Sequence, residues 1–222
     1  MKNLVIVIGG SSGIGYAIAS ALLLSGKHEV LNLSRHTASM IKCLKMDATD
    51  YRQVERAFWK VKNNYGTPKH MVYCAGVANP QGVLEIDRET WRKTIDTNLT
   101  GAFYCTQEFV KIAKKSGGSI IYIASTAGTR PQPGWSSYAA AKAGLINFAI
   151  TMNEELKEYG IKCYCLAPGR CNTQLRAILA PNEDRTKIMQ PEEVAQFVKY
   201  IIENDNVLNG QIIKIKGNTY SA

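Results

Sequence analysis

The sequence predicts a doubly wound α/β fold, with a seven-stranded parallel sheet in one domain spanning residues 1–222. Short apolar runs alternate with amphipathic segments along the chain, a pattern typical of strands joined by crossover helices. The first run, Leu4–Ile8, has no polar alternation, as expected for a strand covered on both faces. A glycine-rich segment separates this run from the first helical segment. Together these observations indicate helices on both faces of the sheet.

The remaining elements follow from the same reading of apolar runs and chain breakers. Gly66 with Pro68, Gly117 with Gly118, and Gly160 each end a helical segment. The predicted strands are Leu4–Ile8, Glu29–Leu33, Ile41–Met46, His70–Cys74, Ser119–Ala124, Ile161–Leu166 and Gln211–Lys216. The predicted helices are Gly13–Ser25, Tyr51–Asn64, Thr90–Lys115, Trp135–Tyr159 and Pro191–Glu203, the last with proline at its first position.

The second crossover is too short for a helix. Only seven residues, 34 to 40, lie between the second and third predicted strands. A connection between parallel strands normally needs about a dozen residues or more. We therefore expect the second crossover helix to be shortened or missing.

Composition narrows the class of protein without naming an activity. The hydrophobic fraction is 45% and the charged fraction 20%, which are ordinary values for a globular enzyme. The net charge of +9 is spread along the chain, so it favours an anionic cofactor or substrate over nucleic acid. The six cysteines form no Cys-x-x-Cys pair, which leaves a metal site without support. The N-terminal apolar run is too short for a membrane span or signal peptide, and we expect a cytoplasmic protein.

A glycine-rich segment marks a candidate nucleotide site. Gly9-Gly-Ser-Ser-Gly-Ile-Gly15 follows the first strand and opens the first helix. Glycines at this junction let the backbone turn tightly and approach a pyrophosphate, and the helix amides point at it. The motif alone could be a tight connection; its position at the first strand–helix junction favours a Rossmann-type dinucleotide site.

A second pattern lies in the stretch from Ser136 to Gly144. Tyr138 and Lys142 are four residues apart and so share a helix face, and Ser125 lies 13 residues before Tyr138. A free tyrosine has a pKa of about 10. A neighbouring ammonium favours the phenolate, so we expect Lys142 to bring the pKa of Tyr138 down into the range of general acid–base catalysis.

These motifs, in this order, resemble the short-chain dehydrogenase/reductase family from residue 2 to residue 218. Further family marks are Asp47 after the third strand, Ala75-Gly76, Asn98 within Asp96-Thr-Asn-Leu99, and Pro168-Gly169 with Thr173. Three positions depart from the family pattern: Ile8 replaces a threonine, and Tyr73 and Cys74 replace two asparagines. We expect an apolar contact there in place of the family's polar link between the first and fourth strands.

The resemblance implies a role for each matching residue. Tyr138 would be the general acid in carbonyl reduction and the general base in alcohol oxidation. Ser125 would position the substrate oxygen, Lys142 would bind the ribose of the nicotinamide, and Asn98 would hold a water in a proton relay. The residues expected to bind the cofactor are Gly9, Ser11, Ser12, Gly13, Ile14, Gly15, Ser34, Arg35, Asp47, Ala48, Ala75, Gly76, Asn98, Tyr138, Lys142, Pro168, Gly169 and Thr173.

The residues after the second strand indicate the cofactor. An acidic side chain there would accept hydrogen bonds from a ribose hydroxyl, whereas arginine accommodates a 2′-phosphate. The chain has Ser34-Arg35-His36 and no acid. Arginine binds phosphate through two parallel hydrogen bonds, and we expect Ser34 to add a hydroxyl donor. The sequence thus predicts NADP(H) as the cofactor.

The substrate is left open among several classes. Arg176–Arg185 lies in the segment of 17 residues that follows Thr173. It could form a short basic lid helix over an anionic or bulky substrate, or a charged helix that is only exposed to solvent. The alternatives are a general ketone or aldehyde reductase, a 3-oxoacyl-[acyl-carrier-protein] reductase, and a non-catalytic NADP(H) sensor. None of the three histidines lies in a catalytic motif, which argues against a serine hydrolase. We expect a homodimer or homotetramer formed through the two long helices, with Phe103, Phe109, Trp135 and Phe148 divided between seam and core.

Overall fold

The computed structural model describes residues 2–204 and 212–215. Its seven strands form one parallel sheet in the order β3-β2-β1-β4-β5-β6-β7, which confirms the predicted fold class. Gln211 and Lys216, the predicted ends of the last strand, lie outside the described residues. The strands are β1 (Asn3–Ile8), β2 (His28–Ser34), β3 (Lys42–Lys45), β4 (His70–Tyr73), β5 (Gly118–Ile123), β6 (Ile161–Pro168) and β7 (Ile212–Ile215).

Seven α-helices occur in the described part of the chain. The predicted helix Thr90–Lys115 is two helices joined by one π-helical turn, Asp96–Thr100. The predicted helix Trp135–Tyr159 ends earlier, at Glu155, and a 3₁₀ turn follows before Gly160 with φ of 63°. The helices are α1 (Gly13–Leu24), α2 (Tyr51–Asn64), α3 (Arg88–Ile95), α4 (Gly101–Ala113), α5 (Ser136–Glu155), α6 (Gln174–Leu179) and α7 (Pro191–Glu203).

The connection between β2 and β3 contains no helix, as the sequence predicts. Residues 35–41 form bends and a turn, and Met40 adopts a left-handed conformation with φ of 71°. β3 consequently pairs with β2 at the edge of the sheet without a helix between them. The loop lies just past the carboxyl end of β2, next to the glycine-rich turn.

Two apolar layers hold the helices on opposite faces of the sheet. Along β1, Leu4, Ile6 and Ile8 face a cluster formed with α2, α4 and α5. Val5 and Val7 point the other way, into a cluster formed with α1 and α7. This alternation follows from the two-residue period of a strand. It places the carboxyl ends of β1, β4, β5 and β6 along one edge, where sites form in open parallel sheets.

The cysteines are free thiols. Cys163 and Cys165 lie in the core on β6, as the apolar pattern indicates. Among residues 2–204 and 212–215, no cluster of ligating side chains is suited to a metal ion. None of the helices described is long and apolar enough to cross a bilayer.

A buried histidine at the start of β2 makes the stability of the fold sensitive to acid. His28 is 5% exposed, and its Nε2 lies 3.9 Å from Glu203 Oε1. Burial lowers the pKa of His28, and the charge of Glu203 only partly opposes this. Below the ordinary histidine pKa of about 6.5, the unfolded chain therefore binds a proton that the native state does not.

The free energy of unfolding should consequently fall as the pH decreases from about 7.5 to about 5.5, and the contribution of His28 has an upper limit of about 1.4 kcal/mol. Urea denaturation of the wild type and of His28→Gln at both pH values measures this contribution. The variant should lose less stability over the interval than the wild type. An identical loss in both proteins would show that His28 contributes nothing to the acid sensitivity.

Candidate active site

The glycine-rich turn after β1 closes tightly against the chain that follows β4. Gly9 has φ of 81°, and a Cβ built on it would lie 2.8 Å from the Ala75 nitrogen. A Cβ on Gly15 would lie 2.3 Å from the Gly9 carbonyl oxygen. Backbone atoms cannot yield at such distances, so these two positions require glycine. The turn thereby brings the start of α1 up to the edge of the sheet.

The N-terminus of α1 offers donors to an anion. Ser12 is the N-cap residue, but its hydroxyl makes no capping hydrogen bond, and the first turn contains no acidic residue. The amides of this turn and the hydroxyl are therefore available to a phosphate, whose charge the helix dipole favours.

An elongated cleft of about 230 Å³ runs along this edge of the sheet. It contains most of the residues that the sequence assigns to the cofactor. Three of them lie elsewhere: Asn98 is buried behind Gly76, while Pro168 and Gly169 line a neighbouring pocket. The predicted residues that line the cleft are Gly9, Ser11, Ser12, Gly13, Ile14, Gly15, Ser34, Arg35, Asp47, Ala48, Ala75, Gly76, Tyr138, Lys142 and Thr173.

A buried asparagine that sequence reasoning missed organises one wall of the cleft. Asn32 Oδ1 accepts a hydrogen bond from the Gly10 nitrogen at 2.8 Å. Its Nδ2 donates to Ser34 Oγ at 3.0 Å. Asn32 is fully buried within β2, and a polar side chain in the middle of an apolar strand is the signal that could have found it, because buried polar groups need partners.

Ser34, the expected hydroxyl donor to a phosphate, donates within the protein in this structure. Ser34 Oγ donates to the His36 carbonyl oxygen at 2.6 Å, and a hydroxyl has only one hydrogen. Ser34 therefore fixes the loop after β2. Arg35 is exposed on that loop and lines the cleft. Asp47 also lines the cleft, with its Oδ1 accepting from the Thr49 nitrogen at 2.9 Å.

Tyr138 and Lys142 lie one turn apart on α5 and are 6% and 4% exposed. Ser125 follows β5 and accepts a hydrogen bond from the Ala127 nitrogen at 3.1 Å. Tyr138 borders both the cleft and the neighbouring pocket, and Ser125 lines that pocket. The three side chains therefore meet where the two cavities join.

The ammonium of Lys142 is hydrogen-bonded to a backbone carbonyl at the end of β5. Lys142 Nζ donates to the Ile123 carbonyl oxygen at 2.9 Å and lies 5.7 Å from the centroid of the Tyr138 ring. Burial lowers the pKa of Lys142 to about 8. The amine is thus near its titration point at neutral pH.

The pKa of Tyr138 contradicts the sequence expectation. Burial raises the pKa to about 12, while the hydrogen-bonding interaction with Ser125 and the charge of Arg176 lower it. The expectation that Lys142 brings the pKa of Tyr138 down is wrong here, because the ammonium is turned to a carbonyl and its own charge is destabilised by burial. At neutral pH Tyr138 is a protonated phenol, ready to donate.

Asn98 lies in the π-helical turn between α3 and α4. Its Nδ2 donates to the Val77 carbonyl at 2.7 Å and to the Thr94 carbonyl at 2.9 Å. Its Oδ1 is buried, with no hydrogen-bond partner among the residues the structure describes. A Cβ built on Gly76 would lie 2.9 Å from this oxygen and 3.7 Å from Lys142 Nζ. The two polar groups therefore border the same small space, which suits a bridging water.

The departure from the family pattern at Tyr73 and Cys74 has a polar consequence. Tyr73 is fully buried, and its hydroxyl donates to the Thr97 carbonyl at 2.6 Å, next to Asn98. The expected link between β1 and β4 is made by the backbone, from the Cys74 nitrogen to the Ile8 carbonyl at 2.9 Å. The expected apolar contact is confirmed, because Ile8 and Tyr73 are register partners in one buried cluster. The Tyr73 phenol in addition ties β4 to the turn that holds Asn98.

A second pocket of about 220 Å³ adjoins the cleft at Tyr138. Its floor includes Ser125, Pro168 and Gly169. Thr173 caps α6 by accepting a hydrogen bond from the Arg176 nitrogen at 3.1 Å. The predicted lid helix exists but is shorter and begins earlier than Arg176, because this cap fixes its start.

Comparisons with known proteins agree with this arrangement. The profile of the family described as short chain dehydrogenase matches residues 3–184. The chain is 30% identical to the 3-oxoacyl-[acyl-carrier-protein] reductase FabG of Chlamydia muridarum, over 96% of this chain and 95% of that protein. It is 31% identical to carbonyl reductase family member 4 of Danio rerio, over 98% of each.

Solved structures share the whole fold. The aldohexose dehydrogenase of Thermoplasma acidophilum superposes with a TM-score of 0.90 at 23% identity, covering 98% of this chain and 94% of that one. The structure of ElxO with NADP bound gives a TM-score of 0.88 at 25% identity, with 99% of each chain covered. The family match, the sheet order and the meeting of cleft and pocket at Tyr138 lead to one conclusion: this chain belongs to the short-chain dehydrogenase family.

Proposed function

We propose that the protein is an NADPH-dependent oxidoreductase that reduces a ketone or aldehyde to an alcohol, or catalyses the reverse reaction. The observation that carries the proposal is the position of the Tyr138 phenol at the junction of the cleft and the second pocket. A carbonyl compound in the second pocket would meet Tyr138 and Ser125 on one side and the cleft on the other.

The residues of the cleft fit a nicotinamide dinucleotide. The glycine turn packs closely against the backbone after β4. The uncapped Ser12 and the start of α1 supply donors to a pyrophosphate. When bound, NADP(H) supplies or accepts the hydride. Tyr138 and Thr173 line both the cleft and the second pocket, and Lys142 lines the cleft.

Each side chain of the site has a task that follows from its surroundings. Tyr138 gives its proton to the substrate oxygen as negative charge develops there, and Ser125 donates a hydrogen bond to the same oxygen. Lys142, with its pKa lowered to about 8, can return a proton toward Tyr138. The side-chain oxygen Oδ1 of Asn98 binds the water that connects Lys142 to solvent.

The preference for NADP(H) rests on Arg35. It lines the cleft beside Ser34 and His36, and no acidic residue follows β2 to repel a 2′-phosphate. The ElxO structure with NADP bound is a related example. Replacement of Arg35 by alanine should raise the KM for NADPH about tenfold and leave that for NADH within about twofold, since a charge-assisted hydrogen bond is lost only with the former.

Steady-state kinetics with both cofactors, and thermal melts with each, measure this preference. Arg56→Ala, an exposed arginine on α2 outside the cleft, is the matched control and should change neither value. If NADPH and NADH raise the melting temperature of the wild type equally, the proposed role of Arg35 is wrong.

The acyl-carrier version of the function is the second candidate. It is supported by the relatives named 3-oxoacyl-[acyl-carrier-protein] reductase and by the net charge of +9, which would steer an acidic carrier. Lys114 and Lys115 are exposed at the end of α4. Lys157 is instead paired with Glu154 at 3.0 Å, which weakens it as a docking residue.

The decisive experiment measures NADPH oxidation with a panel of diketones, acetoacetyl thioesters, aldehydes and sugars. Turnover of small ketones or aldehydes supports the general reductase, and a strong preference for carrier-linked thioesters supports the second candidate. Tight NADPH binding with no turnover of any compound would favour an NADP(H) sensor instead.

The expected assembly is a homodimer or homotetramer through α4 and α5, in a reducing cytoplasm that keeps the thiols free. Of the four aromatic residues named for the seam, Phe109 lies in the core and Phe148 packs against it. Trp135 lines the second pocket. Phe103, which is 45% exposed, is left as the aromatic anchor for such an interface.

A further inference from the structure

The second pocket carries positive charge. Three arginines line it, and no aspartate or glutamate is among its lining residues. They come from separate parts of the chain: Arg130 from the turn after β5, Arg170 from the loop after β6, and Arg176 from α6. The pocket also contains Ser125 and Tyr138, the groups proposed to hold the reacting oxygen.

Arg176 is held in a fixed position beside the phenol. Its Nε donates to Glu183 Oε2 at 2.5 Å and its Nη2 to Glu183 Oε1 at 2.7 Å. Its guanidinium carbon lies 5.9 Å from the centroid of the Trp135 ring, and Trp135 packs edge-on against Tyr138 with ring centroids 6.2 Å apart. With 19% of its side chain exposed, Arg176 is positioned in advance and has little side-chain entropy left to lose.

Glu183 does not neutralise this charge. Its Oε1 also accepts from Arg170 Nη1 at 3.2 Å, so one carboxylate serves two guanidinium groups. A guanidinium has five N–H donors, and Glu183 takes two of those on Arg176. The other guanidinium N–H groups of Arg176 make no further hydrogen bond to the residues that the structure describes.

Arg130 adds a second positive charge at the same pocket. It is exposed, and no ion pair links it to a carboxylate within the described ranges. The lining of the pocket thus contains three arginines and no carboxylate, and its low-dielectric walls are formed by Ile14, Leu175 and Leu179. Such a cavity concentrates anions.

We propose that the pocket selects a small carbonyl compound with a carboxylate group, an oxo acid, whose carboxylate is bound by Arg176 and Arg130. This substrate class rests on the proposed reductase function of the same site. The carbonyl oxygen lies on Ser125 and Tyr138, and the carboxylate receives hydrogen bonds from the guanidinium groups, for which arginine has the matching geometry. A pocket of about 220 Å³ suits a small acid.

The alternative explanation of these contacts is purely structural: the Arg176–Glu183 pair would only hold α6 against the loop after β6. The two explanations differ in which substrates they affect. A structural role predicts the same loss for charged and neutral substrates, whereas anion binding predicts a loss confined to the acid.

The experiment compares kcat/KM for a 3-oxo acid with that for its methyl ester, which has the same ketone and no charge. The wild type should favour the acid by about tenfold or more. Arg176→Gln should lower kcat/KM for the acid by about 10- to 100-fold, and Arg130→Gln by about threefold to tenfold because its side chain is exposed. The ester should change by less than about threefold in both.

Glu183→Gln tests the inference in the opposite direction. It removes the carboxylate that the structure pairs with Arg176, so the preference for the acid over the ester should increase. A 3-oxo phosphonate of the same length tests whether a doubly charged group is accepted in place of the carboxylate. Thermal melts of each variant show whether the fold is kept.

The outcomes separate this inference from the proposed function. Reduction of the ester with no preference for the acid, or equal loss for both substrates in Arg176→Gln and Arg130→Gln, would overturn the oxo acid assignment while the reductase stands. A higher kcat/KM for the phosphonate than for the acid would overturn the carboxylate assignment and indicate another anionic group on the substrate. If neither the acid nor any neutral ketone is reduced, the reductase function fails and the inference fails with it.

Discussion

Tyr138→Phe should lower kcat/KM for carbonyl reduction by about 10²- to 10⁴-fold, the usual contribution of a positioned proton donor. The substitution removes one oxygen from a side chain that is 6% exposed and leaves the ring against Trp135. The cofactor cleft keeps the glycine turn, Arg35 and Lys142, so the affinity for NADPH should be nearly unchanged. The measurement is steady-state reduction of the best ketone of the panel, with NADPH affinity from fluorescence titration.

The pH dependence of the wild type gives a second view of the same phenol. Reduction needs the protonated phenol, and the pKa of Tyr138 is raised to about 12. Oxidation of the alcohol needs the phenolate, so its kcat/KM should rise about tenfold per pH unit from about pH 7 to about pH 9. A plateau already present at neutral pH would show that Lys142 does lower the pKa of Tyr138. A loss of activity in Tyr138→Phe of less than about tenfold would show that another group donates the proton.

Tyr104→Phe is the matched control. It also removes one tyrosine hydroxyl, from a side chain on α4 that packs against Tyr51 and Phe103 and lines neither the cleft nor the pocket. Activity and pH profile should stay those of the wild type. Loss of activity in both variants would point to a general disturbance of the fold.

The parts of the site that could be predicted are those fixed by short sequence distances. The glycine turn forms one continuous segment at a strand–helix junction, and a Tyr-x-x-x-Lys pair shares a face of any helix. The parallel arrangement of the strands follows from the alternation of strands and helices. The seven residues between the second and third strands likewise settle the missing helix by length alone.

The parts that could not be predicted depend on the direction of side chains in three dimensions. The sequence places Lys142 near Tyr138, but only the structure shows its ammonium turned to the Ile123 carbonyl. Ser34 has the hydroxyl that was expected, but its hydrogen goes to His36. The Tyr73 hydroxyl reaches Thr97, 24 residues away, and Glu183 joins two arginines from separate segments. No periodicity in the sequence records such contacts.

Gly128 shows how a residue outside every motif can control the geometry of the site. It lies in the 3₁₀ turn Thr126–Thr129 that follows Ser125, and its nitrogen donates to the Ser125 carbonyl at 3.0 Å. A Cβ built on it would lie 2.6 Å from the Lys142 carbonyl carbon and 2.7 Å from the Ala143 nitrogen. Both contacts are with the backbone of α5, which cannot yield as the end of a side chain can. The turn therefore packs directly on the helix that contains Tyr138 and Lys142.

Gly128→Ala should consequently separate the turn from α5 and move Ser125 away from the phenol. Overpacking of this kind costs about 1–3 kcal/mol in the free energy of unfolding. A displacement of about 1 Å between groups that act together can lower the rate about 10²-fold, and we expect a loss of that size in kcat/KM. Gly128 is outside the cofactor cleft, so NADPH affinity should be retained; urea denaturation, kinetics and cofactor titration measure the three quantities separately.

Gly82→Ala is the control for the added methyl group itself. A Cβ at Gly82 would meet only the carboxyl end of the Glu85 side chain, which can rotate away, so stability and kcat/KM should be close to wild type. If Gly128→Ala loses stability without losing activity, the turn can shift while Ser125 keeps its place. If it loses neither, the close packing of the turn on α5 does not fix the distance between Ser125 and Tyr138, and the position of Ser125 must come from β5 alone. The pair of variants thus decides whether the catalytic geometry depends on a contact between two backbones.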